Sequence, residues 1–274
     1  MNTISDPAME LASMCEWFSK LKGIPSNRNA AQALSATLDG SEYPERPYVL
    51  LGVAQQRFTD FISIIDTIED PFLDASLVAS ARQAASELRS FCALEKLQES
   101  WSNRAALVGK KEYLNSIRTL SPSCRKFQPI NKLSDDEINA LRSLIDEKLF
   151  ESINESNLPP YISYSLTKGL RDLLIEIEYF PIYGFHRISI TAFDIYAHHS
   201  AAESESSNYR KSSAFSKIKK IIGIAISGLV ITDAAIEAAG NHYDRATQIY
   251  DLVVERPALP APTSHTHTDQ IKEI

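Results

Sequence analysis

The stretch from Phe215 to Gly240 leaves this chain few ways to fold. It opens on Lys217, Lys219 and Lys220, runs from Ile221 to Thr232 without a charge, and meets Asp233 and Glu237 before Gly240. Wound as a helix, it spreads Ile221, Ile224, Leu229, Ile231 and Ile236 around most of its circumference, with Ile222, Ile226 and Val230 between them. A helix that is apolar all round belongs in a protein centre or in a bilayer. The uncharged run is twelve residues long, short of the ~20 needed to cross the hydrocarbon. Extending it to Ala239 brings in both acids, each costing about 2.5–3.5 kcal/mol near the bilayer centre. The pattern therefore predicts a buried central helix, with conditional membrane contact as the alternative. Gly223, Ser227 and Gly228 allow close approach of a neighbouring helix in either setting. The lysines, with Arg210 and Lys211, suit an anionic lipid surface at about 1 kcal/mol each, and equally a solvated helix start. Lys217, Lys219, Lys220, Ile221, Ile224, Leu229 and Ile231 are thus the candidate contacts to a partner or a membrane.

The rest of the chain also reads as helical. Only nine of 274 residues are glycine, and glycine is the default for tight turns and positive φ. That scarcity disfavours sandwiches, barrels and phosphate loops. Asp6 before Pro7 starts a first helix, with Leu11, Met14, Cys15, Phe18 and Leu21 at helical spacing. A short helix is expected over Asn29 to Leu38. Phe58, Phe61, Ile62, Ile65 and Ile68 form a further stripe. Asp70-Pro71 reads as the start of a helix running toward Trp101, followed by one from about Ser102 to Leu120. SPSCRKFQPINK reads as a turn region. Ser134 and Glu137 have the spacing of a capping box, with Ile138, Leu141, Ile145, Leu149 and Ile153 facing inward behind it. Pro159-Pro160 opens a helix that ends near Phe180. The segment after Gly184 reads as a helix despite its β-branched ISIT run.

The expected fold is an all-α multi-helix bundle with a C-terminal helical hairpin and a disordered tail. Its divisions are a helical domain over 1–203, a serine-rich linker over 204–213, the hairpin over 214–256, and a proline-containing tail over 257–274.

The chemistry is sparse. A net charge of −7 disfavours nucleic-acid binding, which needs a basic face. Cys15, Cys92 and Cys124 lie far apart and in no metal spacing, which suits a reducing compartment. The N-terminus lacks a cationic apolar signal region, so a cytoplasmic protein is expected, peripheral to the inner face of a membrane in the alternative reading. Neither GxSxG nor a glycine-rich phosphate loop occurs. No catalytic set emerges and no cofactor is implied. His186, Asp194 and His198 could share a helix face and are weak metal candidates; histidines at a helix end are the plainer reading. Aromatics gather between Tyr161 and Tyr196, and Tyr161, Tyr164, Tyr183 and Tyr196 are candidates to line a ligand pocket; core and interface packing is the commoner use.

The functional expectation is a non-enzymatic interaction or regulatory protein that binds a protein partner or itself. The alternatives are a latent membrane-acting effector using the 215–240 helix, and a metal-dependent enzyme or small-ligand binder using the aromatic and histidine region 183–199.

Overall fold

Several helices begin where a short polar side chain supplies a cap. In the computed structural model, which describes residues 4–21, 28–38, 43–70 and 73–227, Asp6 accepts a hydrogen bond from the Met9 amide at 3.0 Å and α1 runs Pro7–Ser19. Asn29 and Gln32 form a reciprocal capping box at the head of α2, Ala30–Thr37. Then follow α3, Arg46–Thr67, and α4, Ala75–Arg89. The cap of α4 is Asp74, not Asp70: Asp74 accepts from the Ser76 amide at 2.7 Å. Asp70 is held instead by the Ser123 hydroxyl at 2.9 Å and by Lys126. Two 3-10 turns, Ser90–Cys92 and Leu94–Lys96, lead into α5, Trp101–Val108. The single helix expected over 102–120 is two, because the chain breaks at Gly109-Lys110 before α6, Lys111–Thr119. The expected turn at 121–127 is α7, Ser121–Phe127, with a proline in its first turn and Ser121, Ser123 and Cys124 buried.

The second half starts from the Ser134–Glu137 box, whose two reciprocal bonds are both made, at 3.2 and 2.7 Å. It heads α8, Asp135–Leu144, and Asp146 caps α9, Glu147–Asn154, after a break at Ile145. Next come α10, Pro160–Glu178, and α11, Phe180–Glu205, whose ISIT run is helical. The chain continues as α12, Ser207–Lys211, and α13, Ser213–Ser227. Two strands of two residues each, β1 at Ile4–Ser5 and β2 at Ile130–Asn131, pair antiparallel. The fold is all-α.

Two apolar clusters form. The first is built on α1–α7, with Phe18, Phe91 and Trp101 in ring contact and all three cysteines inside it. The second is built on α8–α13. Ile218, Ile221, Ile222 and Ala225 of α13 are buried in it, packed against α8, α9 and α11. The serine-rich run read as a linker carries α12, and Tyr209 at its middle is fully buried. The chain divides into compact units at Ile231 and Thr232. The expected hairpin beyond Ser227 and the tail, with Leu229 and Ile231, lie outside the described residues.

Candidate functional site

A cleft of about 670 Å³ opens between α1, α3, α10 and α11. Glu10 on α1 and Arg57 on α3 make a charged pair in its wall, at 3.1 Å, with both side chains largely buried. Arg57 also donates to the carbonyls of Pro181 and Ile182, both at 2.9 Å. Glu10 accepts from the Phe185 amide at 3.3 Å. These bonds seat the kink of α11, where Gly184 takes φ 69° and ψ 172°. Burial pushes the Glu10 carboxyl up and the Arg57 guanidinium down, each opposed by the other's charge.

Glu176 on α10 lines the same cleft and is only 3% exposed. Its Oε1 accepts from Arg187 Nε at 2.9 Å and from the Thr191 hydroxyl at 2.8 Å, both on α11. Its Oε2 is buried and has no hydrogen-bond partner. Burial pushes this carboxyl up to about 7, against the lowering effect of Thr191 and Arg187. A buried polar atom left unpaired costs about 1–3 kcal/mol, so among the described residues Oε2 is the buried side-chain atom that calls for something more.

Asp60, Asp172, Tyr183 and His186 also line the cleft. Partial desolvation pushes His186 below its ordinary value, against the pull of Asp60. Desolvation, then the Glu176 charge, pushes the Tyr183 phenol up. Leu11, Val53, Phe61, Ile64, Ile175 and Ile190 supply apolar wall. The volume falls within the few hundred to a thousand Å³ typical of small-molecule pockets. None of the three cysteines lines the cleft, and burial raises all three thiols, which makes them inert.

A separate polar cluster lies inside the second core. His199 Nδ1 and the Tyr209 hydroxyl are 2.6 Å apart, and the Phe215 ring lies 4.9 Å from the imidazole. Burial, with Lys219 nearby, pushes His199 down to about 4 and holds it neutral. The cluster joins α11, α12 and α13.

The residues singled out from sequence scatter. Of the four tyrosines, Tyr183 lines the cleft, Tyr161 and Tyr164 stand 67% and 69% exposed, and Tyr196 packs against the second core. His186 lines the cleft, Asp194 is exposed and His198 is half-buried. Among the described residues, no group of three His, Cys, Asp or Glu side chains is arranged to hold a metal ion. Lys217 is bound to both oxygens of Asp146 at 3.0 Å. Lys219 and Lys220 are exposed, Ile221 is buried and Ile224 is half-buried against the second core. No helix among the described residues is long and apolar enough to cross a membrane.

Glu10, Arg57, Glu176 and Arg187 were not anticipated. One signal for Glu176 did exist: it interrupts the apolar run Leu173-Leu174-Ile175 before Ile177. Comparison with protein-family models, curated proteins and solved structures finds no match to this chain.

Proposed function

We propose that this chain is a non-enzymatic binding protein that takes a small ligand in the cleft between α1, α3, α10 and α11. The observation that carries the reading is the buried Glu176 carboxyl, with one oxygen unpaired, in the wall of a cleft of ligand size. Pockets are few per protein and are defined by apolar walls with a few convergent polar groups, and this cleft has that make-up. Its position supports a regulatory role, since α1 and α3 belong to the first core while α10 and α11 contribute most of their apolar side chains to the second. A ligand there touches both.

A fragment screen by ligand-observed NMR on the full chain tests this. Val49 on α3 and Ile190 on α11 both line the cleft and are 51% and 36% exposed, so Val49→Trp and Ile190→Trp obstruct it with little disturbance of the core. Fragments that bind the wild type are expected to lose at least about tenfold in affinity to either variant, a factor equivalent to about 1.4 kcal/mol. Hits that bind both variants unchanged, or no hits at all, refute the reading.

The partner-binding reading has its own support in Tyr161 and Tyr164. They lie three residues apart near the start of α10, and are the most exposed large apolar side chains among the described residues. Residues at that spacing share a helix face, and tyrosine is enriched at protein interfaces. Self-association through this face predicts a dimer by light scattering at high concentration that Tyr161→Asp/Tyr164→Asp abolishes. A monomer at every concentration rules self-association out. Membrane action would require uncovering an isoleucine face that now packs on α8, α9 and α11.

A further inference from the structure

We propose that the ligand of this cleft is a small organic cation, with an ammonium or amidinium group on the Glu176 carboxylate and an apolar body along Phe61, Ile175 and Ile190. The inference rests on the cleft reading above and names its chemistry.

Charge balance within the cleft decides the sign. Five carboxylates line it, Glu10, Glu45, Asp60, Asp172 and Glu176, against three arginines, Arg46, Arg57 and Arg187; Lys168 pairs with Asp172, which leaves an excess of one acid. The arginines are already engaged. Arg57 is held by Glu10 and two backbone carbonyls. Arg187 is held by Glu176 Oε1. Arg46 lies over the Tyr43 ring at 4.0 Å and within 5.8 Å of the Tyr179 ring. An anionic ligand would meet an acid excess and no uncommitted guanidinium. A cation meets an excess of acceptors, and an ionised carboxylate oxygen is acceptor-only. Glu176 Oε2 is that acceptor without a donor.

Oε2 is shielded from solvent in the present arrangement, so the carboxyl must turn to meet a ligand. The terminal torsion of a glutamate is broad and soft, so the carboxyl can turn while Arg187, 54% exposed beside it, stays on the first oxygen. A bound ammonium then completes the second oxygen while Thr191 keeps the first. Charge-assisted hydrogen bonds of this kind are about twice as strong as neutral ones. The apolar wall accounts for the rest of the ligand: a bare ammonium ion would leave it unfilled, and a flat or branched hydrocarbon body would cover it.

Three probes of one shape separate the possibilities: phenethylammonium, 2-phenylethanol and phenylacetate, each titrated into isotope-labelled full-length protein. Phenethylammonium is expected to shift the backbone amides of Glu176, Arg187 and Thr191 saturably, and the other two are not. Glu176→Gln, which keeps the shape and removes the charge, is expected to weaken the cation by about tenfold or more. If the alcohol or phenylacetate moves these amides as strongly, the cation assignment falls and the cleft reading stands. If none of the three moves them, the cation assignment falls and the fragment screen alone decides the cleft. Unchanged cation affinity in Glu176→Gln also overturns it.

Discussion

Replacing Gly184 by alanine is expected to destabilise the protein by about 3–5 kcal/mol, a large part of a typical domain's stability. The residue sits at φ 69° and ψ 172°, a region essentially reserved for glycine and costing other residues about 1–3 kcal/mol. Space is the second difficulty. A Cβ there would stand 2.6 Å from Glu10 Oε2 and 2.9 Å from the Arg57 guanidinium carbon. Both groups are largely buried and tied down. Glu10 holds the Phe185 amide, and Arg57 holds the Pro181 and Ile182 carbonyls. Displacing them strains a buried ion pair, and breaking such a pair outright costs about 3–5 kcal/mol. The expected fall in melting temperature is on the order of 10 °C for a chain of this size.

Gly52, inside α3, supplies the control. A Cβ at that position meets no atom within 4 Å, and alanine is the better helix former by about 1 kcal/mol. Gly52→Ala should therefore raise the melting temperature while Gly184→Ala lowers it. A Gly184→Ala protein within about 1 kcal/mol of wild type would show that the kink adapts, and that the Glu10–Arg57 clamp does not depend on the glycine.

The contrast between these two glycines also marks what could be read from the chain in advance. Local signals were legible. Asp6, Asn29 and Ser134 each cap a helix where a short polar side chain precedes an apolar repeat. Gly184 was legible as a break, because Pro181 and a glycine lie close together, and burial of Ile221 followed from the length of its uncharged run. Where neighbouring helices break was less visible: Gly109-Lys110 and Ile145-Asp146 interrupt repeats that continue on either side, so the stripe alone does not reveal the turn.

The cleft was scarcely legible at all, because its bonds are long-range. Glu10 meets Arg57 47 positions away and the Phe185 amide 175 positions away. Glu176 finds Arg187 and Thr191 across the turn between α10 and α11. An acid on an amphipathic helix ordinarily marks the solvated face, and only the packing of α11 turns Glu176 inward. The same holds for His199. In sequence it is one of two adjacent histidines. In the fold it lies under α13 against Tyr209 and Phe215, while His198 beside it is half-buried.

Those two inward-facing groups predict opposite pH dependences. Glu176 is raised from 4.5 to about 7 in the folded protein. Between those values the folded state holds a proton that the unfolded state has lost. Its contribution is fully present below pH 4.5 and is lost as pH rises through 7, a change of about 3 kcal/mol. His199 is lowered from 6.5 to about 4. Here the unfolded state takes up the proton first, so stability is fully present above pH 6.5 and is lost as pH falls through 4, again by about 3 kcal/mol. Over pH 4.5–6.5 the two slopes oppose one another in the wild type, and single variants should expose each. Urea unfolding across pH 4–8 would show the stability of Glu176→Gln gaining on wild type as pH rises. The stability of His199→Gln should gain on wild type as pH falls. Each difference should approach about 3 kcal/mol at its extreme, apart from a pH-independent offset for altered packing. Difference curves that stay flat would mean that both groups titrate in the folded protein much as they do in the unfolded chain. That would remove the electrostatic case for an unmatched carboxyl in the cleft wall. Opposed slopes would confirm that α11 carries a protonatable acid contact on its cleft side and a neutral imidazole on the side that faces α13.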